Sequence, residues 1–237
     1  MKNKKKEQIA AKEKHRKSLK RKNRSEPILE RSEPVKIERP TILIICEGKN
    51  TEPSYFRKFR LTSATVKAVG EGFNTVSLVE RAKQLSEEKI YDQVWCAFDA
   101  DPKPDNPNQA ENFNQAILLA EKYGFGVAYS NQAFEYWIIL HLNDHQGGGI
   151  DRKDYNEVIN KLLKPYGLAY DGSGNKLITE ELFELLDGYD KKTGKERKII
   201  AIERAKKILD KHENSNPAKA ESSTTVFRLV EEIIKYI

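Results

Sequence analysis

TILIICEGKNTEPSYF, residues 41–56, decides the fold. Residues 41–46 form a continuous, Ile-rich apolar run, the pattern of a strand covered on both faces. The run passes straight into Glu47 and Gly48. Asn50 or Thr51 can cap a helix that follows, with Pro53 in its first turn and Tyr55, Phe56 and Phe59 on its apolar face. A buried strand that ends on a carboxylate and hands over to a helix raises the question of what the charge is for.

Outward from this stretch, strands and helices alternate. Residues 66–69 read as a short strand. Residues 75–89 read as an amphipathic helix, with Val76, Val79, Ala82 and Leu85 at helical spacing. Residues 94–98 form another apolar strand, closed by Asp99; Pro102, Pro104 and Pro107 then force a loop. Asn108 opens a helix that Gly124 stops, residues 125–129 form a fourth strand, and residues 132–142 are helical. Such alternation predicts an α/β fold: a mostly parallel four-stranded sheet with helices on both faces. Beyond residue 142 the pattern turns helical, at about 154–164, 178–187, 196–211 and 223–236, with glycine-rich loops at 147–149 and 171–174. The expected organisation is a basic arm, disordered or partly helical, over 1–39, the α/β domain over 40–145, and a helical part over 146–237.

Charge divides the chain in the same way. Residues 1–39 carry 15 Lys/Arg and 6 Asp/Glu, a net of +9, whereas the remainder carries 27 and 30, a net of −3. The arm is too polar to bury a face and is suited either to a phosphate backbone or to keeping the chain in solution. No apolar run approaches the ~20 residues that span a bilayer. Cys46 and Cys96, each near the end of a predicted buried strand, suggest small apolar residues rather than a disulfide framework. The expected location is cytoplasmic.

The carboxylates carry the chemistry. In open α/β sheets, ligands bind beyond the carboxyl ends of the strands, at a switch point. If the first and third strands are neighbours, Glu47, Asp99 and Asp101 crowd one small space, and their mutual repulsion is relieved by a divalent cation with hard oxygen ligands, Mg²⁺ or Mn²⁺. Gly48 lets the backbone approach a phosphate, and Lys49 adds a point charge beside the helix start. The sequence EGKNT is not a phosphate-binding loop of the G-x-x-x-x-G-K-[ST] type, which excludes that class of nucleotide triphosphatase.

An acid plus Gly after the first strand and D-x-D after the third resemble the Toprim fold. Over ILIICEGKNTEPSYF (42–56), VWCAFDAD (94–101), SNQAFEYWIILH (130–141) and SSTTVFRLVEEI (222–233), the chain resembles the RloB-like proteins. One departure is Gln132, where the family pattern leads one to expect proline. The resemblance implies a Toprim-like nuclease effector in antiviral defence, linked to abortive-infection and restriction–modification loci and partnered by an ABC/AAA-type ATPase. It assigns Glu47 as the catalytic carboxylate and Asp99 and Asp101 as metal holders. RNA such as tRNA is favoured over DNA by analogy with other effectors of this kind.

In SNQAFEYWIILH, Ser130 or Asn131 caps the helix, and Phe134, Trp137, Ile138 and His141 share a face. Glu135 is either a helix-start acid or a ligand to a second metal beside Asp99. Asn131 either caps or binds phosphate. His141 is either a core histidine or a substrate contact. Two functions stay open: a Mg²⁺- or Mn²⁺-dependent phosphodiesterase acting on nucleic acid, with catalytic Glu47, Asp99, Asp101 and Glu135, or a non-catalytic adaptor that binds nucleic acid or the ATPase. A phosphatase or small-molecule transferase fits a polyanion-seeking arm less well. Oligomers are possible through the late apolar helices.

Overall fold

The computed structural model describes residues 2–22, 39–68, 75–101, 108–212 and 215–237. Two units are distinct, Met1–Glu38 and Arg39–Ile237. The first holds helix α1 (Lys2–Lys22), whose described side chains, residues 6–18, are all exposed. An isolated helix of such polarity owes little to packing; straight-chain Lys, Glu and Gln, together with Ala, favour it.

The second unit is built on a four-stranded, all-parallel sheet in the order β2-β1-β3-β4, with β1 (Ile42–Cys46), β2 (Ala64–Ala68), β3 (Gln93–Asp99) and β4 (Gly126–Ser130). All five residues of β1 are buried, as a central parallel strand requires. Its side chains alternate between two cores. Leu43 and Ile45, with Cys96, Phe98 and Tyr129, face α3 (Thr75–Glu88) and α4 (Gln109–Lys122). Ile42, Ile44 and Cys46, with Ala97 and Ala128, face α2 (Thr51–Lys58) and α5 (Glu135–Leu142). Parallel register places Trp95 of β3 opposite Gly126 of β4, where a Cβ would lie 2.4 Å from the indole.

The helices after residue 146 are α6 (Tyr155–Leu163), α7 (Glu180–Asp187), α8 (Arg197–Asp210) and α9 (Val226–Ile234). Their apolar faces join the core beneath α2 and α5, so residues 40–145 and 146–237 share one hydrophobic interior. Tyr55 of α2 packs edge-on against Phe56, Phe59, Phe134 of the α5 approach and Phe183 of α7.

The outer edge of β4 is closed by residues 222–225. The Thr225 N–H donates to Tyr129 O (2.8 Å), Thr225 Oγ1 accepts from the Tyr129 N–H (2.9 Å), and the Asn131 N–H donates to Ser223 O (2.8 Å). An unpaired edge would invite other strands, and this segment removes it.

The expected strand at 66–69 lies at Ala64–Ala68; Val69 falls outside the described residues. The helix expected from 132 begins at Glu135, since Gln132 adopts φ 76° and cannot enter a right-handed helix. No helix among the described residues is long and apolar enough to cross a membrane.

Candidate functional site at the carboxyl rim of the sheet

From β1 the chain crosses to β2 on one side, then returns past β1 to β3 on the other. The carboxyl ends of β1 and β3 therefore mark the switch point, where a crevice forms outside the sheet. Glu47 and Asp99 sit there. The Glu47 N–H donates to Ala97 O (2.9 Å), extending the ladder past the strand's end. The Asp99 N–H donates to Glu47 Oε2 (3.2 Å), so the Glu47 carboxylate lies over the end of β3. The expected convergence of the first and third strand ends is present.

Two further carboxylates join them. Glu52, in the first turn of α2, is buried, and its Oε1 accepts from the Gly48 N–H (3.3 Å). Its pKa is pushed up to about 7, first by burial and then by the charges of Glu135 and Glu47, against hydrogen bonds from its own amide and that of Gly48. Asp99 is raised well above the carboxylate range, first by burial, then by Glu52 and Glu135; the Arg152 guanidinium eases it in part. Glu135 opens α5 and accepts from the Tyr170 O–H (2.9 Å), and Tyr170 in turn accepts from Thr51 Oγ1 (3.2 Å). Because the tyrosine proton goes to the carboxylate, the threonine hydroxyl is the donor in the second bond. Glu47, Glu52, Asp99 and Glu135 thus come from β1, α2, β3 and α5 to one rim.

Glu52 was missed in the sequence because an acid in a first helical turn is ordinarily explained by the helix dipole. A signal was present: α2 starts four residues after Glu47, so an acid in its first turn must share the rim. Gly48 also has a different part from the one expected. A Cβ at 48 would lie 2.3 Å from a Glu52 oxygen, so the missing side chain makes room for that carboxylate. Lys49 is exposed.

Asp101 differs from Asp99. Its backbone is left-handed (φ 37°), and its Oδ1 accepts from Arg152 Nη1 in an ion pair. The two aspartates of D-x-D were expected to aim at one ion; instead Asp99 faces acids and Asp101 faces a cation. Positive φ at 101 turns the chain as it leaves the strand, which a two-residue spacing does not reveal.

Asn131 does not cap α5. It is buried, and its Nδ2 donates to Pro217 O (3.0 Å) and Ala218 O (3.2 Å), tying the end of β4 to a distant turn. His141, read as either a core histidine or a substrate contact, is the former: it is buried in the core. Its Nδ1 donates to Trp137 O (2.8 Å), which leaves Nε2 to accept from the Tyr55 O–H (3.4 Å). Burial pushes its pKa down to about 4, despite the Trp137 carbonyl. The reason is the surroundings of α5: residues 136–141 are all buried, so the helix has no exposed face for His141 to occupy. Proline, expected at 132, could not adopt φ 76° there, because its ring locks φ near −65°.

The rim's donors are carboxylate oxygens, which suit a hard divalent cation, and their crowding is the repulsion that such a cation relieves. Among the described residues, no three His, Cys, Asp or Glu side chains lie at ligand spacing as arranged here.

Comparison with curated proteins gives no significant match, and neither does comparison with solved structures. The family model described as RloB-like protein matches residues 42–233, from the first residue of β1 to within the last turn of α9. The chain belongs to the RloB-like family.

Proposed function

We propose that this chain is a Mg²⁺- or Mn²⁺-dependent nuclease that hydrolyses phosphodiester bonds of nucleic acid, and that it serves as an effector in antiviral defence. The observation that carries the catalytic part is the meeting of Glu47 and Asp99 at the switch point, 3.2 Å from carboxylate to amide. Glu47 and Asp99 would hold the cation, with Glu135 close enough to share its field. When bound, such an ion stabilises the charge that builds on a phosphate under attack. Glu52, with a pKa near neutrality, is poised to give or take a proton at the entering or leaving oxygen. Asp101 orients Arg152 beside Asp99. The basic helix α1, with its described side chains exposed, suits a polyanionic partner. RNA such as tRNA over DNA, and an ABC/AAA-type ATPase as partner, follow from the family resemblance.

Cleavage of mixed RNA and DNA with Mg²⁺ or Mn²⁺ tests this, comparing wild type with Glu47→Ala and Asp99→Ala. Metal-dependent cleavage lost in both variants is the expected result; equal, metal-independent activity in all three removes the reading. A non-catalytic adaptor is favoured by one observation, the Asp101–Arg152 ion pair, which withdraws an acid from the expected metal set. On that reading, deletion of residues 1–39 abolishes binding and Asp99→Asn changes nothing.

A further inference from the structure

Next to the acid rim lies a cavity of about 380 Å³, between Glu135 and the segment from Arg152 to Lys176. Its size is at the lower end of the ~300–1,000 Å³ of small-ligand pockets. One nucleotide fits such a volume; a base pair does not. The lining is evenly mixed between polar and apolar surface and carries three cations, Arg152, Lys153 and Lys176. Arg152 is engaged by Asp101 through one Nη, which leaves the rest of its five-donor fork. Lys153 is held only by an exposed pair with Asp151, which solvent weakens and a phosphate can replace. The Lys176 backbone N–H donates to Asp171 O (3.0 Å), while its ammonium has no hydrogen bond or ion pair among the described residues.

The walls are built to keep their shape. Asn160 Oδ1 accepts from the Tyr170 N–H (2.8 Å), and Asn160 Nδ2 donates to Tyr170 O (2.9 Å), pinning the loop to α6. Asn156 Oδ1 accepts from the Gly172 N–H (3.1 Å) and from Asn160 (3.0 Å), so the Asn156 amide protons are left for a ligand. Tyr155 lines the cavity as well, and its buried O–H meets no hydrogen-bond partner. An unmet buried donor is unfavourable, and a ligand settling here brings oxygens to that wall. Glu135 is shared between the cavity and the rim, so whatever fills the cavity abuts the carboxylates.

We infer that this cavity receives one nucleotide of a single strand, adjacent to the phosphate presented at the rim, with its own phosphate on Arg152 and Lys176 and its base or sugar edge on Asn156. The inference rests on the nuclease reading for its place in a reaction, but the binding stands on the cavity alone. It makes the substrate an unpaired segment, since a duplex cannot place one nucleotide in a pocket of this size without extruding it.

The test is displacement of a fluorescent nucleoside monophosphate from the full chain, in chelator so that no metal contributes. A short single-stranded oligonucleotide is expected to displace it, whereas a blunt duplex of the same sequence, inorganic phosphate and the bare nucleoside are expected to do so much less well. Lys176→Glu is expected to weaken the monophosphate by about tenfold or more, the worth of a charge-assisted bond. Lys176 is half-buried at a loop position, so the fold tolerates the change, and thermal unfolding of the variant checks that. No binding at millimolar nucleotide, equal affinity for inorganic phosphate, an unaffected Lys176→Glu variant, or displacement by duplex as good as by single strand overturns the inference. A wild type that binds the nucleotide but cleaves neither RNA nor DNA sinks the nuclease reading and leaves the cavity. Cleavage without nucleotide binding sinks the cavity alone.

Discussion

Helix α5 opens on Glu135 and carries His141 near its other end, and the fold treats the two ends in opposite ways. Around His141 both ring nitrogens are answered: one donates to a carbonyl, the other accepts from a tyrosine, and the ring stays neutral. Around Glu135 the chain gathers Glu52, Asp99 and Glu47, whose charges oppose one another, with Arg152 the cation that offsets Asp99. The inner end serves stability. The outer end holds unfavourable charge at the sheet's switch point, where a ligand could relieve it. Crowded like charges persist in a fold when something other than stability keeps them.

The largest effect is expected at Asp99. Asp99→Asn is expected to reduce metal-dependent cleavage by about a hundredfold or more, the scale of losing a group at the chemistry, while raising the melting temperature, because a buried, repelled carboxylate is removed. Cleavage assays and thermal unfolding on the same samples check both; a variant that loses stability and keeps activity would make the rim structural.

The inner end is tested by pH. His141 has a folded pKa of about 4 against the ordinary 6.5. The unfolded chain therefore takes up the proton first. The stability this group contributes is complete above pH 6.5 and is lost as pH falls towards 4, by about 3 kcal/mol at the limit. Denaturant unfolding between pH 7 and pH 4 should show that slope. It should flatten in His141→Leu combined with Tyr55→Phe, which removes both partners together. Glu52 has the opposite sign. Its pKa rises from 4.5 to about 7 in the folded chain, so its favourable contribution is complete below pH 4.5 and disappears as pH rises through 7. Glu52→Gln is accordingly expected to stabilise the protein at pH 8 by about 1–3 kcal/mol and by nothing at pH 4.5. A gain that does not change with pH would mean that repulsion is not its source.

What the sequence showed of this arrangement, and what it hid, follows the same division. Glu47 and Asp99 were legible because an apolar run long enough for a buried strand leaves its closing acid at the strand's carboxyl end. The sheet order made them neighbours. Glu52 was hidden by an adequate local explanation, the helix start. Asn131 was misplaced, and the choice between the two readings of His141 stayed open, because their surroundings depend on partners 86 to 98 positions away in sequence, such as Tyr55, Pro217 and Thr225. Local spacing carries no trace of such contacts. The closing segment itself, SSTT (222–225), was read as part of a helix over 223–236, yet α9 begins at Val226 and SSTT supplies the bonds that finish the sheet.

Asp101 gives the smallest effect and the finest discrimination. In the structure it answers Arg152, and both side chains are partly exposed. Such a pair is worth at most about 1 kcal/mol, so Asp101→Asn is expected to leave the melting temperature nearly unchanged. It frees Arg152 from its partner without adding or removing a carboxylate among the four at the rim. Cleavage should then fall by about tenfold, the lower end for a residue that positions another and less than in Asp99→Asn. If Asp101→Asn abolishes cleavage as completely as Asp99→Asn, the two-residue spacing was the better guide: the ion pair would then be a resting arrangement from which Asp101 turns when a cation arrives. Measuring both variants over a Mn²⁺ titration separates the cases, because a lost ligand shifts the metal requirement to higher concentration and a displaced arginine does not.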